Sequence, residues 1–233
     1  MDMDTEEIEA ILRLTGDNQW VTQQNEDCGK GNRVLQVKWI MIEIRTATKE
    51  DAEQLLEIYD YYVSNTAISF ENETPSLDEF TKRIEDTLKQ YPYLVMEKDG
   101  KIAGYAYAGP FKNRAAYNWS CEISIYLDRK ARKRGLGRIL SEALEDELRK
   151  MGILNVYGCI AYPEKADEYL TTNSADYHEH IGFRTVGNFR QCAYKFGRWY
   201  NMIWMEKTIG EHIDQPDVVK KPQRVSKTEY LSL

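Results

Sequence analysis

No stretch of this 233-residue chain approaches eighteen consecutive apolar residues, so a membrane-spanning helix is not expected. The first seven residues, MDMDTEE, are acidic where a secretory leader would be basic and then apolar, which argues against export. Cysteine is scarce and scattered: Cys28, Cys121, Cys159 and Cys192 form no Cys-x-x-Cys pair, and His178, His180 and His212 offer no metal-ligand spacing. Reduced thiols in a cytoplasmic protein, with no metal, are the expectation. A positive balance is also lacking. Lys and Arg number 31 against 38 Asp and Glu, a formal charge of -7, whereas a general nucleic-acid binder needs a basic face for phosphates. Any cationic site must be local. No internal repeat is visible.

Apolar residues make up 42% of the chain and aromatics 12%, ample for a buried core. Residues 1–40 stand apart. They hold a short helical pattern (Ile8, Ile11, Leu12, Leu14) and a polar, turn-rich run, and the apolar run 34–44 that follows could be a strand. They are set aside as an N-terminal extension without an assigned role. Residues 210–233 contain two prolines and little periodicity and read as a mobile tail.

Between them, residues 41–209 read as one domain. Leu55, Leu56, Tyr59, Tyr62 and Val63 recur at helical spacing, and Ser76 with Glu79 makes a capping box ahead of Leu77, Phe80, Ile84 and Leu88. A hairpin turning at Asp99-Gly100 follows, then a strand over 119–127 and an amphipathic helix over 135–151. A strand over 153–161, a short helix over 174–180 and strands over 183–196 and 198–207 complete the pattern. Mixed helices and strands predict an α/β or α+β fold with a mixed central sheet flanked by helices.

The run "SCEISIYLDRKARKRGLGR", residues 120–138, joins an alternating strand to a basic, glycine-interrupted turn. Alternation puts Cys121, Ile123, Ile125 and Leu127 on one face and Glu122, Ser124 and Tyr126 on the other. A strand, a tight turn and a helix N-terminus make an anion site, since the first helical N–H groups are unpaired and the dipole favours negative charge. Arg132, Lys133, Arg134 and Arg138 would add charge. The turn is neither a P-loop nor a dinucleotide fingerprint, because Gly-x-x-x-x-Gly-Lys is absent and the third glycine position is Leu140. A solvated basic turn before a helix would look similar.

The spacing Arg132-x-x-Gly135-x-Gly137 resembles the acetyl-CoA pyrophosphate loop of the GNAT N-acetyltransferases, and the succession of elements over 41–209 is similar to theirs. Within that superfamily, "GPFKNRAAYNW" (109–119), "NTAISFE" (65–71), "HEHIGF" (178–183) and "KFGRWYNMIWME" (195–206) resemble the acetyltransferases of phosphinothricin and of methionine sulfone and sulfoximine.

That resemblance implies acetyl-CoA as co-substrate, a small amino-acid amine as acceptor and a homodimer, with no nucleic acid, membrane or metal involved. It implies Glu122 as general base for the attacking amine, against the alternative of a solvent-facing strand carboxylate paired across the sheet. It places His178 near the active site, although a lone histidine at a helix end also serves as a structural cap. It implies that the main chain of Ile125, Tyr126 and Leu127 pairs with the pantetheine arm. The pyrophosphate would be held by Arg132, Lys133, Arg134, Gly135, Leu136, Gly137 and Arg138, with Ser174 on the cofactor side. Lys112, Arg114 and Tyr117 would grip the acceptor's carboxylate and a second polar group, or form an ordinary charged surface loop. Phe70 and Glu71 match the family's acceptor pocket, though Phe70 fits a core position equally well.

Two departures stand out. The family's Asn seven residues before the histidine falls on Thr171, with Asn173 two places out of register, and its Asp in the "GRWYNM" segment falls on Asn201. The alternative acceptors are a polyamine or a protein N-terminus; a polyamine would want an acidic pocket, which Lys112 and Arg114 oppose. A non-catalytic acyl-CoA-binding regulator would have no need of Glu122.

Overall fold

A computed structural model describes residues 40–131 and 135–232. The helical pattern at 8–14, Cys28, and Arg132, Lys133 and Arg134 lie outside the described residues. Residues 40–232 form one compact unit. In chain order its elements are β1 (Ile40–Thr46), α1 (Ala52–Asn65), α2 (Leu77–Leu88), β2 (Tyr93–Lys98), β3 (Lys101–Pro110), β4 (Ser120–Leu127), α3 (Leu136–Met151), β5 (Asn155–Tyr162), α4 (Asn173–His180), β6 (Arg184–Lys195), β7 (Arg198–Thr208) and β8 (Thr228–Ser232).

The strands make a single eight-stranded sheet in the order β6-β7-β5-β4-β3-β2-β1-β8. Only β4 and β5 run parallel, because the intervening α3 carries the chain back before β5 begins. Local chemistry explains the joints. Ser76 Oγ accepts the Glu79 N–H at 3.2 Å and starts α2. Asp99 and Gly100 both have positive φ, 52° and 72°, which is the two-residue turn that matches strand twist. Gly152, at φ 90°, ends α3 in the left-handed conformation.

The two faces of the sheet are covered separately. Against α3, whose Leu136, Leu140, Leu144 and Leu148 are all fully buried, lie Ile42, Ile44, Leu94, Met96, Ala106, Ala108, Cys121 and Ile123. Against α1 and α2 lie Tyr93, Val95 and Tyr105, together with Leu55, Tyr59, Tyr62, Phe80 and Ile84 from the helices.

The expectation of a mobile tail over 210–233 differs from what is found at its end: Thr228–Ser232 is β8, paired antiparallel to β1 from Ile40↔Ser232 to Ile44↔Thr228. The segment leading there is tied down on the way. Asp217 C=O accepts the Trp119 indole N–H at 2.8 Å, Lys220 N–H donates to Met151 C=O, and Val225 exchanges bonds with Thr46. Val219, Val225 and Tyr230 pack on the α3-side core. These anchors fall at irregular spacing, so no periodic signal marks them.

Candidate functional site

The site begins where two neighbouring strands part. Asp128 N–H donates to Ala103 C=O, and Trp119 C=O accepts from Leu154 and Asn155. Backbone direction alternates along a strand, so even-numbered residues of β4 face β3 and odd-numbered ones face β5. Pairing with β3 continues to Leu127↔Gly104, but pairing with β5 covers only Ser120↔Asn155, Cys121↔Val156 and Glu122↔Tyr157. Beyond Glu122 the odd-numbered main chain of β4 faces a gap, and a peptide-like ligand is its natural partner.

Ile125 presents its N–H and C=O to that gap, as the resemblance implies, whereas Tyr126 faces β3. Tyr62, from α1, accepts the Leu127 N–H at 3.1 Å and donates its own hydroxyl proton to the Leu127 C=O at 2.7 Å.

At the far end of the gap stands the N-terminus of α3. Gly135 caps it with φ 71°, a conformation that glycine adopts without strain, and no acidic residue occupies the first turn. Leu136 is fully buried, so only its main chain can meet a ligand. Gly137 serves packing: a Cβ there would come within 3.3 Å of the Tyr177 ring and 3.4 Å of Leu127. Arg138 is exposed, with its Nε on Glu142 at 2.8 Å.

Glu122 is half-buried on the α1/α2 face of the sheet. Its cross-strand neighbour on β3 is Gly109, and nothing lies within 4 Å of where a Cβ would stand there, so space is open beside the carboxylate. Burial lifts the Glu122 carboxyl above its ordinary value, and the Lys112 charge partly offsets this. Its neighbour on β5, Tyr157, stacks on Phe111 at 4.2 Å, and Trp204 meets the Phe111 ring edge-on at 5.4 Å. Lys112 Nζ sits 5.0 Å from the Phe111 ring and 5.3 Å from that of Trp204. Tyr117 contacts Phe111 from the same loop at 5.7 Å, and Arg114 is exposed beside it. Glu122, Lys112 and Tyr117 are thus brought to one aromatic-walled region.

Phe70 is half-buried against the small cluster of Ala67, Ala161, Leu170 and Tyr200, and Glu71 is paired with Arg83 at 2.7 Å. Their loop is pinned from across the sheet by Lys195, itself 4% exposed, whose Nζ donates to Ser69 C=O at 2.6 Å. Desolvation lowers the Lys195 ammonium from its ordinary value, with Glu71 opposing.

His178 and Glu122 are not brought together. His178 lies with Val156, Gly158 and Ile160 of β5 on the α3 side, 6% exposed, its Nδ1 at 2.7 Å from Ser174 C=O and its ring against Phe183. A Cβ at Gly158 would be 3.5 Å from its Nε2. Burial lowers its pKa, and because its partner is a carbonyl oxygen, Nδ1 is the donor in that bond. Ser174 is half-buried at the start of α4, Asn173 is exposed, and Thr171 Oγ1 accepts the Asn173 N–H at 3.4 Å. Asn201, 7% exposed, accepts the Gln191 N–H at 2.8 Å, holding a positive-φ bulge in β6; an amide oxygen suffices for that bond.

Sequence reasoning missed Tyr62, Gly109, Lys195 and Cys159. Gly109 had a signal, a lone glycine inside a strand pattern. Cys159 lies at the rim of the Glu122 face; partial desolvation and then the Glu122 charge push its thiol up to about 11. Among the described residues no group of His, Cys, Asp and Glu could hold a metal ion, and no helix is long and apolar enough to cross a membrane.

Residues 44–204 match the family model of the acetyltransferase (GNAT) domain. The chain is 32% identical over 166 residues to phosphinothricin N-acetyltransferase of Streptomyces viridochromogenes, covering 71% of this chain and 87% of that one. It is 31% identical over 170 residues to the L-methionine sulfoximine/L-methionine sulfone acetyltransferase of Salmonella typhimurium, covering 72% and 95%. A GNAT superfamily phosphinothricin acetyltransferase from Sinorhizobium meliloti, solved in complex with acetyl-CoA, superposes with a TM-score of 0.68 at 30% identity, over 75% of this chain and 92% of that one.

Proposed function

As a member of the GNAT acetyltransferase family, and hence an acetyl-CoA-dependent N-acetyltransferase, this chain, we propose, acetylates the amine of a small amino acid such as phosphinothricin or methionine sulfone or sulfoximine, with Glu122 as general base. The observation that carries this reading is Glu122 itself: a half-buried carboxylate, raised in pKa, with open space opposite it and the parting of β4 and β5 beside it.

Acetyl-CoA supplies the activated acetyl group. The open main chain of Ile125 and the N-terminus of α3, at Gly135, Leu136 and Gly137, fit its amide-bearing arm and its pyrophosphate. Arg132, Lys133 and Arg134, which precede Gly135 in the sequence, and the exposed Arg138 carry charge of the sign a pyrophosphate needs, and Ser174 is assigned to the cofactor side on the resemblance alone. The acceptor arrives as an ammonium. Glu122 removes one proton, directly or through one water, and the freed amine attacks the thioester carbonyl. A nitrogen–carbon bond forms, the carbon–sulfur bond breaks, and the amide's surplus proton leaves with CoA thiol. Direct transfer is favoured over an acyl-enzyme because Cys159, whose thiol feels the Glu122 charge, is held at about 11 and carries little thiolate at neutral pH, and Cys121 is fully buried and pushed further up.

Lys112, with Tyr117 and Arg114 in the same loop, is suited to the acceptor's carboxylate or other anionic group, and Phe70 and Glu71 close the pocket on the far side. His178 acts by packing α4 onto β5 and takes no proton in this reading. A homodimer is supported by the β6–β7 edge, where Val186, Phe189, Tyr194 and Trp199 are about half exposed or more.

The test follows CoA thiol release by purified protein against phosphinothricin, methionine sulfone, methionine sulfoximine, ordinary amino acids and polyamines. Turnover on the first three is expected, with light scattering on the same preparation giving twice the 27.3 kDa chain mass. Turnover on polyamines alone would overturn the acceptor assignment. Tight acetyl-CoA binding with no turnover on any amine would favour a regulator.

A further inference from the structure

We propose that Lys195 is a positioning residue for the acceptor: its buried ammonium clasps the loop between α1 and α2 at Ser69 and so fixes Phe70 and Glu71 as the far wall of the acceptor pocket. The inference rests on that loop lining the pocket, and it is independent of which amine accepts the acetyl group.

Burying an ammonium costs several kcal/mol unless opposite charge and hydrogen bonds offset it. Lys195 is 4% exposed, and the Glu71 carboxylate, whose charge reaches it, is engaged with Arg83 at 2.7 Å. An apolar side chain of the same length would fill the place at less cost, so packing does not explain the charge. What the charge does is hold one carbonyl: Nζ donates to Ser69 C=O at 2.6 Å, across 126 positions of sequence. Ser69 lies in a stretch that no strand or helix supports, between Asn65 at the end of α1 and Leu77 at the start of α2. It is gripped from two sides. Its hydroxyl meets that of Tyr59 on α1 at 3.0 Å and accepts the Glu71 N–H at 3.3 Å, while Lys195 holds its C=O from the end of β6. Phe70 and Glu71 follow directly in the chain, so the direction in which they leave Ser69 is set. The turn between β6 and β7 brings Lys195 to this place, with Phe196 and Gly197 both at positive φ, 50° and 75°. That turn holds the loop a second time: Phe196 stacks on Tyr169 at 4.3 Å, and Tyr169 C=O accepts the Ala67 N–H at 3.0 Å.

Lys195→Met keeps the length of the side chain and removes the ammonium, and an apolar group of similar volume is compatible with folding there. Hydrogen exchange needs no acceptor. The Phe70 and Glu71 amides are expected to exchange about tenfold faster in the variant, the worth of one hydrogen bond to a charged group, with the amides of β4 unchanged. Against the amine that the wild type acetylates fastest, KM for that amine is expected to rise about tenfold, with kcat and the Kd of acetyl-CoA unchanged. Unchanged exchange at Phe70 and Glu71 overturns the clasp, whatever the protein acetylates. Faster exchange with an unchanged acceptor KM overturns the positioning role, because the loop then moves without the acceptor feeling it. An equal loss of acetyl-CoA binding also overturns it, by making the effect general. Fast exchange of the Glu71 amide in the wild type would overturn the clasp without any variant. Wild-type protein that acetylates no amine would defeat the acceptor reading itself, and Lys195-dependent exchange would then mark a clasp that serves the fold alone.

Discussion

Under α3 the sheet presents isoleucine, leucine, methionine and alanine, and its one thiol there, Cys121, is fully buried and pushed far up by desolvation. Under α1 and α2 the same strands present tyrosines: Tyr93, Tyr105, Tyr107 and Tyr126, meeting Tyr59 and Tyr62 from the helix. An aliphatic layer can only exclude water. A layer of phenols packs almost as well while carrying hydroxyls that reach backbone and polar neighbours, as Tyr62 reaches Leu127 and Tyr59 reaches Ser69. Glu122 projects on the phenolic side and His178 packs on the aliphatic side, and this division explains their different environments.

Glu122→Gln cuts at the phenolic face. A near-isosteric amide leaves packing intact, and kcat/KM is expected to fall by about a hundred- to ten-thousand-fold, the usual worth of a general base. Because burial raises the Glu122 pKa, the wild type loses activity as pH falls through a value above the ordinary glutamate range, and that acid limb should vanish in the variant. Retained turnover with an unchanged acid limb would remove Glu122 from the chemistry.

Leu140→Ala cuts at the aliphatic face. Leu140 is fully buried, and its truncation should cost about 2–5 kcal/mol in denaturant unfolding while leaving the acid limb where it was. A displaced acid limb would mean that the two faces are coupled through β4.

Tyr105→Phe gives the smallest effect and the finest contrast. The Tyr105 hydroxyl is buried with no hydrogen-bond partner among the described residues, so its removal should stabilise the protein by about 1 kcal/mol, read as a higher Tm. Destabilisation would show that the phenolic layer holds an internal water there.

What could be read from the sequence follows the range of the interaction. The Asp99-Gly100 turn, the Ser76 cap and the inward and outward alternation of β4 depend on neighbours within a few residues, so their signals lie in the local pattern. The bond from Tyr62 to Leu127 spans 65 positions and that from Lys195 to Ser69 spans 126. No local pattern announces either. Tyr62 fits an ordinary apolar helical position, and only the parting of β4 from β5 gives its hydroxyl a purpose. β8 escaped notice for a related reason: it completes an edge supplied by β1, nearly the whole domain away in sequence.

That last pairing fixes where the domain can be handled. Ile40 and Ser232 are register partners, so the two ends of the domain lie side by side, about one strand spacing of ~4.8 Å apart, at the edge of the sheet farthest from β6. A short loop could join them and new ends be opened elsewhere, giving a circular permutant with the sheet order intact. An affinity tag or fusion partner attached at Ser232 would start about seven strand spacings, roughly 34 Å measured across the sheet, from the aromatic β6–β7 edge.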